Sequence, residues 1–202
     1  MWQVTLSTLN LCSYINSPFV GIIFLGGVME REIEVKLLED VEKVEAILKS
    51  KGEFISEEEQ ENILIDSSTM PVPEEKGYLR IRKTKDKVTG EEKIYFTFKE
   101  RVDRKCVREN LEHTVTVDSV EELKNILKLI GFDKVERFKK HRNSYSYKGL
   151  RFDLDRWQGW ISYAEIEGES QEEIMDVIKE LKLDVNKITT LSIKELKNSV
   201  AN

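Results

Sequence analysis

The stretch MEREIEVKLLE, residues 29–39, constrains the fold more than any other part of the chain. Glu30, Glu32, Glu34 and Lys36 alternate with Arg31, Ile33, Val35 and Leu37. A period of two marks a β-strand with two different faces. One face is apolar after its first residue, and the other carries three carboxylates and an ammonium. Like charges crowded on a strand face destabilise it unless opposite charge lies between them. The rest of the sheet therefore has to supply counter-charges.

The same alternation recurs downstream. Arg80 and Arg82 alternate with Leu79 and Ile81, and Lys93, Tyr95, Thr97 and Lys99 with Ile94, Phe96 and Phe98. Arg108, Asn110 and Glu112 alternate with Val107 and Leu111; Lys140 and Arg142 lie two apart; Asp153 and Asp155 flank Leu154; Glu165 and Glu167 flank Ile166. For one such strand, a half-exposed antiparallel sheet is a sufficient explanation. Across the set, however, the signs are sorted into acidic pairs (Glu32/Glu34, Asp153/Asp155, Glu165/Glu167) and basic pairs (Arg80/Arg82, Lys140/Arg142). Carboxylate clusters suit hard divalent cations, and Arg supplies a planar fork of donors to phosphate. Both together suit a metal-bound polyphosphate.

The expected elements are a strand over Glu30 to Leu38, a helix from about Asp40 to Ser50 capped by Gly52, and a strand over Glu58 to Asp66. A loop, residues 67–76, leads to two strands, Gly77 to Lys83 and Ile94 to Lys99, joined by a turn around Gly90. Arg101 to Lys105 reads as a charged loop and Val107 to Val117 as a strand. Ser119 with Glu122 opens a helix to about Ile130. Strands follow at about Lys134 to Tyr147, Arg151 to Trp157 and Ser162 to Glu167, then helices opened by Ser170 with Glu173 and by Ser192 with Glu195. The repeat of Ile47-Leu48-Lys49-x-x-Gly52 as Ile126-Leu127-Lys128-x-x-Gly131 raises two sheet-plus-helix halves that close on each other; chance similarity between two amphipathic helices is the other reading.

The chain has 202 residues, 35 % of them charged, and its acidic balance, a net charge of −6, argues against a general nucleic-acid binder. Two cysteines imply no disulfide framework, so a cytoplasmic setting is expected. Two histidines disfavour a His-rich zinc site or a Ser-His-Asp triad. No apolar run is long enough for a membrane helix. Residues 1–28 carry no charged side chain. They lack the basic start and cleavage site of a secretory signal. Gly26-Gly27-Val28 can be encoded by a purine-rich ribosome-binding sequence, so Met29 is expected as the start, with 29–202 as one domain and 1–28 as leader; a docked or flexible arm is the other reading.

In order and spacing, these strands resemble the CYTH family, the triphosphate tunnel metalloenzymes. Its E-x-E-x-K strand is matched by Glu32, Glu34 and Lys36, its L-R-I-R by Leu79 to Arg82, and its T-x-K by Thr97 and Lys99. Its R-x-E-x-E is matched by Arg108 and Glu112, with Asn110 in place of the middle carboxylate. Its K-x-R is matched by Lys140 and Arg142, and its closing L-D and E-I-E-G by Leu154-Asp155 and Glu165 to Gly168. The resemblance implies an α+β fold: a closed antiparallel eight-stranded β-barrel forming a tunnel, with helices packed outside and charged residues facing in. It further implies that Glu32, Glu34, Asp155, Glu165 and Glu167, supported by Glu112, hold Mg²⁺ or Mn²⁺. Lys36, Arg80, Arg82, Lys99, Arg108, Lys140 and Arg142 would clamp a triphosphate, with Lys36, Arg80, Arg82 and Arg108 acting in catalysis. The expected partner is a triphosphate-containing small molecule, bound by a monomer or homodimer without nucleic acid or membrane.

Two reactions fit such a site. One is hydrolysis of a phosphoanhydride bond of tripolyphosphate, thiamine triphosphate or a nucleoside triphosphate, slightly favoured because it needs fewer specific contacts. The other is cyclisation of ATP to cyclic AMP and pyrophosphate. A non-catalytic polyphosphate or nucleotide binder is the third reading, and Asn110 leaves the number of metals open. Trp157 and Trp160, Tyr145, His113, His141 and Cys106 are expected in packing or surface roles. Glu30 is expected at a strand edge and the run from Glu57 to Glu61 in solvent, with Glu59 and Glu61 within possible reach of the tunnel.

Overall fold

The computed structural model describes residues 22–24 and 27–200. Residues 1–21, and with them most of the leader expected over 1–28, lie outside the described residues. Ten strands occur among those described: β1 (Ile22–Phe24), β2 (Gly27–Leu37), β3 (Glu53–Asp66), β4 (Gly77–Asp86), β5 (Glu92–Arg104), β6 (Arg108–Thr116), β7 (Lys134–Tyr147), β8 (Leu150–Trp157), β9 (Tyr163–Gly168) and β10 (Ile188–Thr189). Four α-helices accompany them: α1 (Val41–Lys51), α2 (Val120–Leu129), α3 (Gln171–Glu180) and α4 (Ile193–Val200).

The strand order β2-β6-β5-β4-β3-β7-β8-β9 returns to its start because β9 also pairs with β2. Every pairing in this ring is antiparallel. The result is the expected closed eight-stranded barrel, with β1 and β10 added on β2. Exchanging β2 with β6, β3 with β7, β4 with β8 and β5 with β9 maps the ring onto itself. That is the topology expected of two strand–helix–strand halves closed on each other. The helix ends of the repeat nevertheless differ. Gly52 caps α1 in extended backbone, whereas Gly131 takes φ +99° at the end of α2. There its N–H bonds Lys128 O and Phe132 N–H bonds Leu127 O, a paired closure that a left-handed residue permits.

The apolar core lies outside the barrel. Ile33, Val35 and Leu37 of β2 join Phe152 and Leu154 of β8, and Ala164 and Ile166 of β9, beneath Val41, Val44 and Leu48 of α1 and Ile174 and Ile178 of α3. Each of the Val, Leu, Ile and Phe side chains contributes about 1.5–3 kcal/mol through burial. A second cluster sets Ile63, Ile65 and Ile81 under Leu127 of α2. Ser119 and Ser170 accept from the N–H groups of Glu122 and Glu173 at the helix starts. Ser192 and Glu195 exchange bonds reciprocally, a complete capping box.

Four strands run further than their sequence pattern indicates: β2 from Gly27, β4 to Asp86, and, by the most, β3 and β5. β3 begins at Glu53, not near Glu58, because its polar start is paired along β7 as far as Ser146. Arg101 to Arg104 is not a loop but the end of β5, which shifts register between Arg101 and Asp103 while staying paired with β6.

Candidate active site

With the apolar residues turned outward, the alternating charged residues turn in. They line a cavity of about 680 Å³, within the range of small-molecule sites. Glu32, Glu34, Lys36, Arg80, Arg82, Lys99, Arg108, Glu112, Lys140, Arg142, Glu165 and Glu167 all contribute to its wall. Asp155 is fully buried behind them, held by Lys140 and Arg142.

The charges form two ion-pair groups. In the first, Lys99 Nζ donates to Glu32 and lies 3.4 Å from Glu34 and 3.1 Å from Glu112. Arg80 reaches Glu112 at 3.1 Å and Arg108 reaches Glu34 at 3.1 Å. Asn110, where the family pattern has a carboxylate, donates from Nδ2 to Glu32 at 3.2 Å. An amide there serves the neighbouring acids as a donor, where a carboxylate would repel them. In the second group, Arg142 binds Asp155 bidentately at 2.6 and 2.7 Å, reaches Glu165 at 2.6 Å, and also donates to Asp153. Lys140 lies 2.6 Å from Asp155 and Lys36 lies 3.1 Å from Glu165.

Burial alone would raise every carboxyl here. Glu34 is nonetheless held below its ordinary range by Lys99, Lys36 and Arg108, and Glu112 by Arg80, Lys99 and Arg82. Glu165 is held well below it by Lys36, Arg142 and Lys140. Glu32 goes the other way, to about 7, through burial and the adjacent Glu34. Glu167 is pushed furthest, to about 9, through burial, Glu32, Glu34 and Asp153. Among the cations, burial and Arg142 lower Lys140 to about 8, and burial, Arg80 and Arg142 lower Arg82 to about 10.

The six expected metal ligands therefore do not form one cluster. Glu32, Glu34 and Glu112 gather on Lys99, Asp155 and Glu165 on Arg142, and Glu167 makes no ion pair among the described residues. No three His, Cys, Asp or Glu side chains among the described residues already stand as a metal-enclosing set. The donors still fit a hard divalent cation. Glu34 and Glu167 are directly paired across β2 and β9, Glu32 lies two residues along, all three offer oxygen, and their mutual repulsion is what a cation offsets.

Several wall residues escape the sequence reading. Asp153, quoted there only as half of an acidic pair, joins Arg142, Ser144 (2.6 Å) and Arg151 (2.8 Å). Glu30 is not an edge residue but lines the cavity. Glu59 and Glu61 do not reach it: they share the outward parity of Ile63 and pair with Lys87 and Arg137. Gln60 and Asn62 occupy the inward positions of β3 instead, and both are buried. Counting parity back from Ile63 and Ile65 would have found them.

Most side residues behave as expected, but Trp157 also lines the cavity, with Lys140 Nζ 5.2 Å from its ring centroid. Tyr145 OH bonds Glu45 at 3.0 Å on the outer face. His113 and His141 meet Glu100 and Glu57, also outside. Trp157, the last residue of β8, packs edge-on against Phe138 and Trp160. The start of α4 (Ile193 and Lys194) and the preceding Ser192 also line the cavity, anchored by Arg104 to Glu195 at 2.7 Å.

No helix among the described residues is long and apolar enough to cross a membrane. The CYTH domain family model matches residues 30–195. A Methanocaldococcus jannaschii protein named "Putative adenylate cyclase" is 25% identical over 84% of this chain and 98% of its own. A solved structure of a Pyrococcus horikoshii protein is 29% identical, with a TM-score of 0.68 over 82% of this chain and 98% of that one. A conserved Pyrococcus furiosus protein is 28% identical, with a TM-score of 0.68 over 82% and 99%. The chain belongs to the CYTH domain family, whose members are divalent-metal-dependent triphosphatases or adenylyl cyclase-like enzymes.

Proposed function

We propose that this protein hydrolyses a phosphoanhydride bond of an inorganic or organic triphosphate in the cytoplasm, with Mg²⁺ or Mn²⁺. The observation that carries this reading is a barrel cavity whose wall includes Lys36, Arg80, Arg82, Lys99, Arg108, Lys140 and Arg142, together with two carboxylates, Glu32 and Glu167, that lack sufficient counter-charge. Lys36, Arg80, Arg82, Lys99, Arg108, Lys140 and Arg142 bind and orient the non-bridging oxygens. Lys36, Arg80, Arg82 and Arg108 stabilise charge on the phosphoryl group as it is transferred, and positioning with electrostatics is most of what phosphoryl transfer requires. Glu32, Glu34 and Glu167 are the residues that would hold the cation, with Glu112, Asp155 and Glu165 supporting them through the basic residues they orient. The cation, when bound, neutralises phosphate oxygens and polarises the bond to be broken.

A second reading, cyclisation of ATP, is favoured by the name of the Methanocaldococcus relative. Purified protein given tripolyphosphate, thiamine triphosphate and ATP, each with Mg²⁺ or Mn²⁺, separates the two. Orthophosphate release supports hydrolysis, whereas cyclic AMP with pyrophosphate supports cyclisation. Tight binding without turnover of any of the three identifies a binder and refutes both reactions. Glu32→Gln and Arg80→Ala should each abolish turnover; retention of it by both would refute the assignment of the site.

A further inference from the structure

One stretch of the cavity wall has donors in excess. Asn62 of β3 is only 5 % exposed and lines the cavity. Its Oδ1 accepts from Arg82 Nε at 2.9 Å. An arginine Nε can only donate, so this bond fixes which way the amide points. Nδ2 then carries both protons elsewhere, and it has no hydrogen-bond partner. Arg80 Nε, on the neighbouring strand, is likewise buried and without a partner. Arg82 makes no ion pair among the described residues, while Lys36, Arg80, Lys99, Arg108, Lys140 and Arg142 each meet a carboxylate. Buried donors without acceptors are rare in native proteins and call for a specific explanation.

The position of this stretch narrows the explanation. Asn62 and Arg82 are directly paired across β3 and β4. In the eight-strand ring, that seam is four strands from the β2–β9 seam, where Glu34 faces Glu167. The cavity thus has a donor wall opposite an acidic wall. A ligand that completes the donor wall must be an acceptor, and it must be anionic because Arg82 is buried beside Arg80 and Arg142. A phosphoryl group has both properties and offers several oxygens at once.

We propose that Asn62 is a substrate-binding residue: its Nδ2 donates to a non-bridging oxygen of the phosphoryl group seated on Arg82, while its Oδ1 holds Nε so that the outer guanidinium nitrogens face the same group. The inference rests on the cavity being a triphosphate site, and it adds a neutral side chain to a clamp otherwise made of charges. It also orients the chain of phosphates, with one phosphoryl group on the donor wall and the cation-binding part toward Glu34 and Glu167.

The test uses tripolyphosphate with Mg²⁺, calorimetry, and two variants. Asn62→Asp keeps an acceptor for Arg82 but loses the N–H donor. Asn62→Leu loses both without adding charge. Loss of the donor is common to them, and each should weaken tripolyphosphate binding by about 10-fold or more. If either variant binds as tightly as the unmodified protein, the inference is overturned. A second measurement needs no variant to fold: the side-chain amide protons of Asn62 in the unmodified protein should shift downfield in proton–nitrogen spectra as tripolyphosphate is added. An unmoved amide overturns the inference even where affinity changes. If the unmodified protein does not bind tripolyphosphate at all, the triphosphate reading itself falls and this inference with it; if it binds and only the Asn62 results fail, that reading stands.

Discussion

Glu167 is the site residue whose environment costs the fold most, and replacing it should make the protein more stable. Its carboxyl has no cation partner among the described residues and is pushed from 4.5 to about 9, first by burial and then by Glu32, Glu34 and Asp153. Between those two values the folded protein keeps a proton that the unfolded chain has lost, so the folded state binds more protons and its stability falls as pH rises. At about 1.4 kcal/mol per pH unit, this amounts to an upper limit of about 5 kcal/mol at pH 8. Glu167 is only partly buried, and solvent screening lowers the figure, so Glu167→Gln should gain about 2 kcal/mol at pH 8. At pH 4.5 and below, where both states hold the proton, the gain should vanish. Urea unfolding in EDTA at pH 4.5, 6, 8 and 9 measures this. The same substitution should weaken Mg²⁺ or Mn²⁺ binding by about 10-fold or more, because it removes a charged oxygen ligand. Unfolding curves for the two proteins that stay parallel across the whole pH range would refute the reasoning, since the carboxyl would then titrate alike in both states.

Three further outcomes are expected. Lys99→Met should destabilise the metal-free protein by about 3–5 kcal/mol, because it leaves Glu32, Glu34 and Glu112 buried without their shared ammonium; thermal unfolding with and without Mg²⁺ should show part of the loss restored by the cation. Gly77→Ala should cost at least about 2 kcal/mol, since Gly77 has φ +129° and an added Cβ would lie 2.0 Å from Lys99 O; an unchanged melting temperature would contradict it. Tripolyphosphate and Mg²⁺ should each tighten binding of the other by the same factor, as measured by calorimetry after correction for the complex they form in solution; independent binding would argue against a shared site.

The barrel was legible because alternation survives without three-dimensional information. Once Ile33, Val35, Ile81, Leu154 and Ile166 are assigned to one face, the charged residues between them are forced to the other. What alternation does not show is which charges pair. Lys99 gathers three carboxylates from two other strands, and Arg142 gathers three from β8 and β9. Those groupings follow from barrel stagger, which has no local sequence signature. The start of β3 was missed because Glu53 to Glu59 lacks an apolar stripe: Phe54 and Ile55 are exposed, and the segment is held as a strand by backbone pairing with β7. The end of β5 was missed for a similar reason, four of the five residues from Arg101 to Lys105 being charged. Asn62 was missed because a search for sorted charges passes over a neutral amide.

The inverted barrel also bears on how the cavity can be at once stable and ready to bind. Buried ions need partners, and here most of them partner each other. On the proposed function, a triphosphate entering such a cavity would compete with Glu112 for Arg80, with Glu34 for Arg108, and with Asp155 for Arg142. A divalent cation would compete with Lys99 for Glu32 and Glu34. Either ligand alone releases a buried charge of the sign the other ligand needs. Together they replace internal ion pairs with new ones, and no charge is left without a partner. Glu167 on the acidic seam and the donor pair Arg82 and Asn62 are the exceptions, incompletely matched within the protein and set on opposite seams of the ring. They give the exchange its direction, since each wall gains a partner it lacked while the paired residues between them only change partners.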